Sequence, residues 1–255
     1  MIKDEWISED RLKPYLNRVW DSKNSALSLY GIDRRLSASL FQDISFIEVA
    51  LRNSMSRYLS ITYGEDWYGQ IKIGFDRRVR ENIIESWESL PSNFTSDGVS
   101  RGEKLGGRLV ASSMFRTWTN MLDKGAQSGL AAPFEKADHD EIWDSEALLF
   151  VFPGAQILAR RQDPEFEHKG LTRGWVYKKV FPVRQIRNRI AHHESLAPSG
   201  VPITGTDIRL DPHSCYQACL DLAGMLDRDL RAFIDGLSTP SVLKELDDFL
   251  NSLQE

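Results

Sequence analysis

The chain has almost no cysteine and no long hydrophobic run, and it is not basic. There are two cysteines in 255 residues, which rules out a disulfide framework. They are Cys215 and Cys219, four apart and so on one side of a helix. They read either as half of a metal site or as two small core residues, and two ligands without partners make a poor zinc site. No stretch approaches the roughly 20 apolar residues of a membrane helix. The first residues, Met1 to Trp6, lack the apolar core of a signal peptide, so the cytoplasm is the expected location. The net charge of -5 excludes a chain that is basic throughout, and any nucleic-acid site must be a local patch.

What is present is a foldable, helical pattern. Apolar residues make up 41% and charged residues 27%, enough for a real core under an ordinary charged surface. Ser8 is placed to cap a first helix carrying Leu12, Leu16, Val19 and Trp20 on one face. Asp33 is placed to cap a second, with Leu36, Leu40, Ile44, Ile47, Leu51, Met55 and Tyr58 spaced by threes and fours. A turn near Gly64 and Trp67 follows, then a helix over Asp76 to Leu90. Pro91 to Gly102 reads as a loop, and helical spacing resumes through Leu105, Leu109, Phe115, Trp118 and Leu122. Asp123 to Asp140 is a polar connection, Glu141 to Ala159 an apolar helix, and Gln162 to Gly174 a polar loop. Pro182 suits the first turn of a helix spanning about Phe181 to Ser195. A small β-hairpin near 201–210 would place Ile203 and Ile208 beside Gly205. Tyr216 to Leu237 reads as one amphipathic helix, and Thr239-Pro240 starts the last. The expectation is an all-α fold of about nine helices, 1–255 as a single helical domain, with C-terminal helices over 214–253.

The segment Phe181 to Ser195, FPVRQIRNRIAHHES, carries the chemistry. Val183, Ile186 and Ile190 make an apolar stripe on which Arg187 and Glu194 also fall. Unpaired charges there would cost several kcal/mol, so they need partners inside the protein or a place in a cleft or subunit interface. Asn188 and His192 are helical neighbours, and Arg187 can swing toward them. Histidine titrates near neutrality and moves protons. Arginine grips phosphate oxygens and stabilises developing charge. No carboxylate cluster marks a metal site, and the natural reaction is phosphodiester cleavage that uses the 2′-hydroxyl of RNA, with no metal and no cofactor. Spacing alone equally describes a helix with surface Arg and His residues.

The phrase Ile186-Arg187-Asn188-Arg189-Ile190-Ala191-His192-His193-Glu194 resembles the signature of Abi-like, or abortive-infection, proteins within the HEPN superfamily. That motif is an Arg and a His separated by four to six residues, with a polar residue after the Arg. A second match covers Phe41 to Asn53, with the family's Glu-x-x-x-Arg-Asn pattern at Glu48, Arg52 and Asn53, and is followed by Gly64-Glu65-Asp66-Trp67. Leu109 to Trp118 is a third, weaker match. The matched core motifs lie at 33–68 and 176–196. The resemblance implies a HEPN-type helical bundle with additional helices, a homodimer with a composite active site, and metal-independent RNase activity in phage defence or toxin–antitoxin settings. RNA is the implied partner, with a possible antitoxin or regulatory partner. Arg187, Asn188 and His192 are the implied catalytic residues. Glu194 stands where one HEPN subgroup has Tyr, which sets this chain outside that subgroup.

Around that motif, Glu48 and Arg52 read either as an intrahelical ion pair or as a support that positions Arg187 or binds RNA. Arg184, Arg187 and Arg189, with Lys178 and Lys179 upstream, form the candidate phosphate patch. His193 points about 100° away from His192 and is a candidate substrate contact. His139, His168 and His213 lie in polar stretches and read as surface residues, and the tryptophans as core. The rival to an enzyme is a non-catalytic RNA- or protein-binding HEPN module.

Overall fold

Leucine and isoleucine at steps of three and four dictate one long helix. In the computed structural model, which describes residues 4–20, 22–92, 103–132 and 134–254, helix α2 runs Lys23–Tyr63. Its buried stripe is Ala26, Leu29, Ile32, Leu36, Leu40, Ile44, Ile47, Leu51, Met55 and Leu59. The helix starts ten residues before the expected Asp33, with Ser22 Oγ accepting from Ser25 N at 3.4 Å. Gly31 does not stop it: a glycine in a helix interior costs only about 1 kcal/mol against alanine, and buried Leu29 and Ile32 flank it. The helix ends where Gly64 turns left-handed at φ 102°.

The chain divides into two compact units, one comprising Met1–Phe46, Pro182–Ala223 and Asp229–Glu255, the other Ile47–Phe181 and Gly224–Arg228. Helix α2 supplies its first half to the first and its second half to the second.

The first unit opens with α1, Glu9–Arg18. Ser8 stands at its N-cap with extended backbone, but its side chain makes no capping hydrogen bond. Trp20, expected on the inner face, is 70% exposed because the chain has already left the helix at positive φ. The unit takes the end of α9, Arg173–Ala191, and then the expected hairpin. Strands β1, Val201–Pro202, and β2, Arg209–Leu210, pair antiparallel with Val201 opposite Leu210. The single expected helix over 216–237 is two, α10 Pro212–Leu226 and α11 Arg228–Asp235. The last, α12 Thr239–Ser252, carries Pro240 in its first turn. Cys215 and Cys219 are fully buried on α10 as core residues.

The second unit contains α3, Arg77–Glu88, capped by Asp76, whose Oδ1 accepts from Val79 N at 3.0 Å. The expected loop over 91–102 lies, from 93 onward, outside the described residues. Helices α4, Glu103–Ser112, and α5, Phe115–Met121, follow. The apolar stretch expected as one helix over 141–159 is split into α6, Ser145–Val151, and α7, Ala155–Gln162, because Pro153 cannot continue a helix. Gly154 lets the backbone pass close there: its N donates to Met225 O at 2.9 Å, and a Cβ would collide with the Gly224 carbonyl. A short α8, Phe166–Lys169, occupies the expected loop.

His139 corrects its assignment to the surface, for it is fully buried. Its Nδ1–H donates to Asp123 O at 2.9 Å and its Nε2 accepts from Asp76 N at 3.3 Å. Burial lowers its pKa and keeps it neutral. The polar stretch around it gave no hint, because its partners are backbone groups and a cap from another part of the chain. Among the described residues no helix is long and apolar enough to cross a membrane.

Candidate functional site

The motif occupies the end of α9, and the helix around it differs from the expected 181–195 at both ends. It begins at Arg173, nine residues before Pro182, with Thr172 Oγ1 accepting from Trp175 N at 3.2 Å. Pro182 is therefore inside the helix, where it forfeits one backbone hydrogen bond. The helix stops at Ala191, and the stop is a Schellman motif. His193 N donates back to Ile190 O at 2.9 Å, and Glu194 N to Arg189 O at 3.0 Å. His193 takes the left-handed position, φ 57°, that glycine usually fills.

Because the helix ends there, Glu194 does not extend the buried stripe. Its side chain is exposed and pairs with Arg189, Nη1 to Oε2 at 2.8 Å. Its share of the case for a subunit interface falls away. Arg189 also leaves the phosphate patch: its Nε donates to Ser195 O at 2.7 Å, and it is largely buried. It is a strut for the chain leaving the helix.

That chain is held residue by residue. His193 O accepts from Arg11 Nη1 at 3.2 Å, and Glu194 O from Arg34 Nη2 at 2.9 Å. Ser195 O accepts from Arg189, while Leu196 N and Ala197 N both donate to Asp33 Oδ1, at 3.0 and 2.7 Å. These guanidinium groups satisfy carbonyls of the chain just beyond the helix, and their charge near its C-terminus complements the dipole. Asp33 is fully buried. Its Oδ2 accepts from Tyr15 OH at 2.6 Å and Arg34 Nη2 at 2.5 Å. Burial and the adjoining carboxylate push the Tyr15 pKa upward. So Asp33, expected to begin α2, instead fastens the segment after the motif. One signal for it was legible: it falls on the core-facing stripe between Leu29 and Leu36, where a carboxylate must have donors. Arg11, Arg34 and Tyr15 carried no such signal.

On this held helix end, Arg187 and Asn188 are half-buried and His192 is exposed. His192 N makes the last regular helical bond, to Asn188 O at 3.0 Å. The Arg187 guanidinium carbon lies 6.0 Å from the centre of the Phe41 ring, a face that favours a cation. Among the described residues the Asn188 and His192 side chains make no hydrogen bond, to each other or elsewhere. Arg184 is half-buried one turn earlier. Two clefts flank His193. One, of about 370 Å³, is walled by Arg11, Tyr15, Arg189 and Glu194. The other, of about 280 Å³, is walled by Arg34, Ser37, Phe41 and Ile190.

Glu48, Arg52 and Asn53 belong to the second unit. The Glu48–Arg52 ion pair does not form: Arg52 Nη1 donates to Ala111 O at 3.1 Å, on the last turn of α4. Asn53 is exposed beside a small cleft lined by Trp67 and Gly106. His168 and His213 are on the surface as expected, His213 against Asp247 at 3.0 Å. No family model, no curated protein and no solved structure matches this chain.

Proposed function

We propose that the chain is a HEPN-type endoribonuclease of the Abi-like kind, cutting RNA without a metal ion in phage defence or as a toxin. The observation that carries this reading is the end of α9. Arg187, Asn188 and His192 share its last turn and cap, His192 stands in solvent, and the main chain behind them is tied at five successive residues. Rigid support of this kind is what positions catalytic groups.

The ribose O2′ attacks the adjacent phosphorus as its proton leaves, and His192 assists that transfer. The P–O5′ bond breaks, and O5′ departs with a proton. Arg187 holds a non-bridging oxygen as charge builds on the phosphorane-like state. Asn188 orients His192 or the substrate. The products are a 2′,3′-cyclic phosphate and a 5′-hydroxyl. Arg184 and His193 contact the flanking strand, and a second copy of the chain completes a composite site.

The test is cleavage of single-stranded RNA by the full chain in EDTA. His192→Ala and Arg187→Ala are each expected to lower the rate about a hundredfold or more, with melting nearly unchanged. A 2′-O-methyl group at the cut site is expected to block the reaction, and DNA to be spared. Products with a 5′-phosphate would overturn the mechanism. RNA that is retained but never cut would make the chain a binding module.

A further inference from the structure

In the second unit, the first half of α9 sets aromatic rings among cations. The helix buries Val176 and Val180 on one side. At about 100° per residue, Tyr177 and Phe181 point away from that stripe, and both keep part of their surface in solvent. Their rings stack on each other, 5.3 Å between centres and 27° between planes. Lys178, between them in sequence, is exposed. Lys179 Nζ lies 5.5 Å from the centre of the Trp175 ring and donates to Gln162 Oε1 at the end of α7. The preceding residues of α7, Arg160 and Arg161, are exposed as well. Two acids that follow them have partners of their own: Asp163 Oδ1 accepts from Glu165 N at 3.1 Å, and Glu165 pairs with Lys169 at 3.0 Å. Arg173, at the start of α9, is buried against Asp140 at 2.8 Å. The whole of α9 has six arginines and lysines and no acidic residue, in a chain whose net charge is -5.

The charge asks for an anionic partner, and the rings narrow its kind. An acidic peptide would meet the cations and leave the rings bare. A duplex keeps its bases stacked inside and shows only its backbone. An unpaired strand offers a flat face and a phosphate at every nucleotide, and aromatic side chains stack on such bases whatever their sequence. We infer that the Tyr177–Phe181 pair is a stacking platform for unpaired bases of an RNA strand, with Lys178 on the phosphate between them. The inference rests on the ribonuclease reading for the identity of the strand, and adds to it that the substrate is single-stranded where α9 begins.

The experiment measures binding of the full chain, by fluorescence anisotropy, to a short 2′-O-methyl RNA strand and to the same strand in a duplex. The single strand is expected to bind roughly tenfold tighter. Phe181→Leu and Tyr177→Leu keep an apolar side chain and lose the ring, and each is expected to weaken the single strand about tenfold and the duplex not at all. Tyr177→Phe keeps the ring and is expected to bind as the unaltered chain does. Lys178→Ala changes an exposed position, and is expected to lower the slope of log affinity against log salt by roughly one phosphate contact. Equal affinity for strand and duplex, leucine variants that bind normally, or a salt slope unmoved in Lys178→Ala would each overturn the platform. Cleavage of unmodified RNA by the unaltered chain would then leave the ribonuclease standing. Single-strand binding lost in the leucine variants of a chain that cuts no RNA would keep the platform and overturn the ribonuclease.

Discussion

Asp33 sits where an unpaired carboxylate would cost several kcal/mol, and four donors converge on it: two backbone N–H groups, a phenol and a guanidinium. Asp33→Ala leaves those donors buried and unmet, and is expected to cost about 3–5 kcal/mol in urea unfolding. A loss under about 1 kcal/mol would remove Asp33 from the role assigned to it. Asp43 shows the opposite economy. It is fully buried on α2; Thr239 Oγ1 donates to its Oδ2 at 2.6 Å, and its Oδ1 has no partner. Burial raises its pKa to about 6. Between its unfolded value near 4 and its folded value, the native state therefore binds more protons than the unfolded state. Stability from this group is present below about pH 4 and is lost as pH rises through about 6. His139, with its lowered pKa, works against it, losing stability as pH falls below the ordinary histidine range. The Asp43 share is thus read as a difference. Asp43→Asn is expected to gain on the unaltered chain by on the order of 1–3 kcal/mol from pH 4 to pH 7, and a constant difference across that range would refute it.

At the scale of the element, α9 is the instructive case. Its middle was legible, because Val183, Ile186 and Ile190 keep helical spacing and are buried. Its ends were not. Pro182 imitates a first-turn proline, yet the helix enters through Thr172 and carries the proline within it. The usual mark of a Schellman stop is glycine, and here the left-handed residue is His193. Helical periodicity therefore ran on to Ser195 on paper and put Glu194 on a stripe it never joins. A non-glycine side chain in that conformation costs about 1 kcal/mol. His193→Gly is expected to raise stability by about 0.5–1 kcal/mol, seen as a higher midpoint in urea. A lower midpoint would mean that the imidazole contributes packing that outweighs the strain. By contrast, α2 was read from Asp33 onward, since its pattern repeats over many turns, and only its first ten residues, Gly31 among them, were missed.

At the scale of the molecule, two discontinuous units draw on the same long helix, and the proposed function asks for a second copy of the chain to complete the site. With Glu194 exposed and paired, the homodimer rests on the resemblance of the motif. Sedimentation at micromolar concentration is expected to give twice the chain mass. A clean monomer that still cuts RNA would dispose of the composite site. What the sequence by itself determined is what depends on near neighbours: helices from the three-and-four spacing, the start of α3 at Asp76 and the hairpin near 201–210. What only the tertiary structure decided is the use of each polar group. Asp33 serves a segment more than a hundred and sixty residues away, Arg189 holds a carbonyl instead of facing a ligand, and His139 is core. The reason is physical. Periodicity follows from the local geometry of the backbone, whereas the cost of a buried charge is cancelled by whichever donors the fold brings to it, and those lie on other elements.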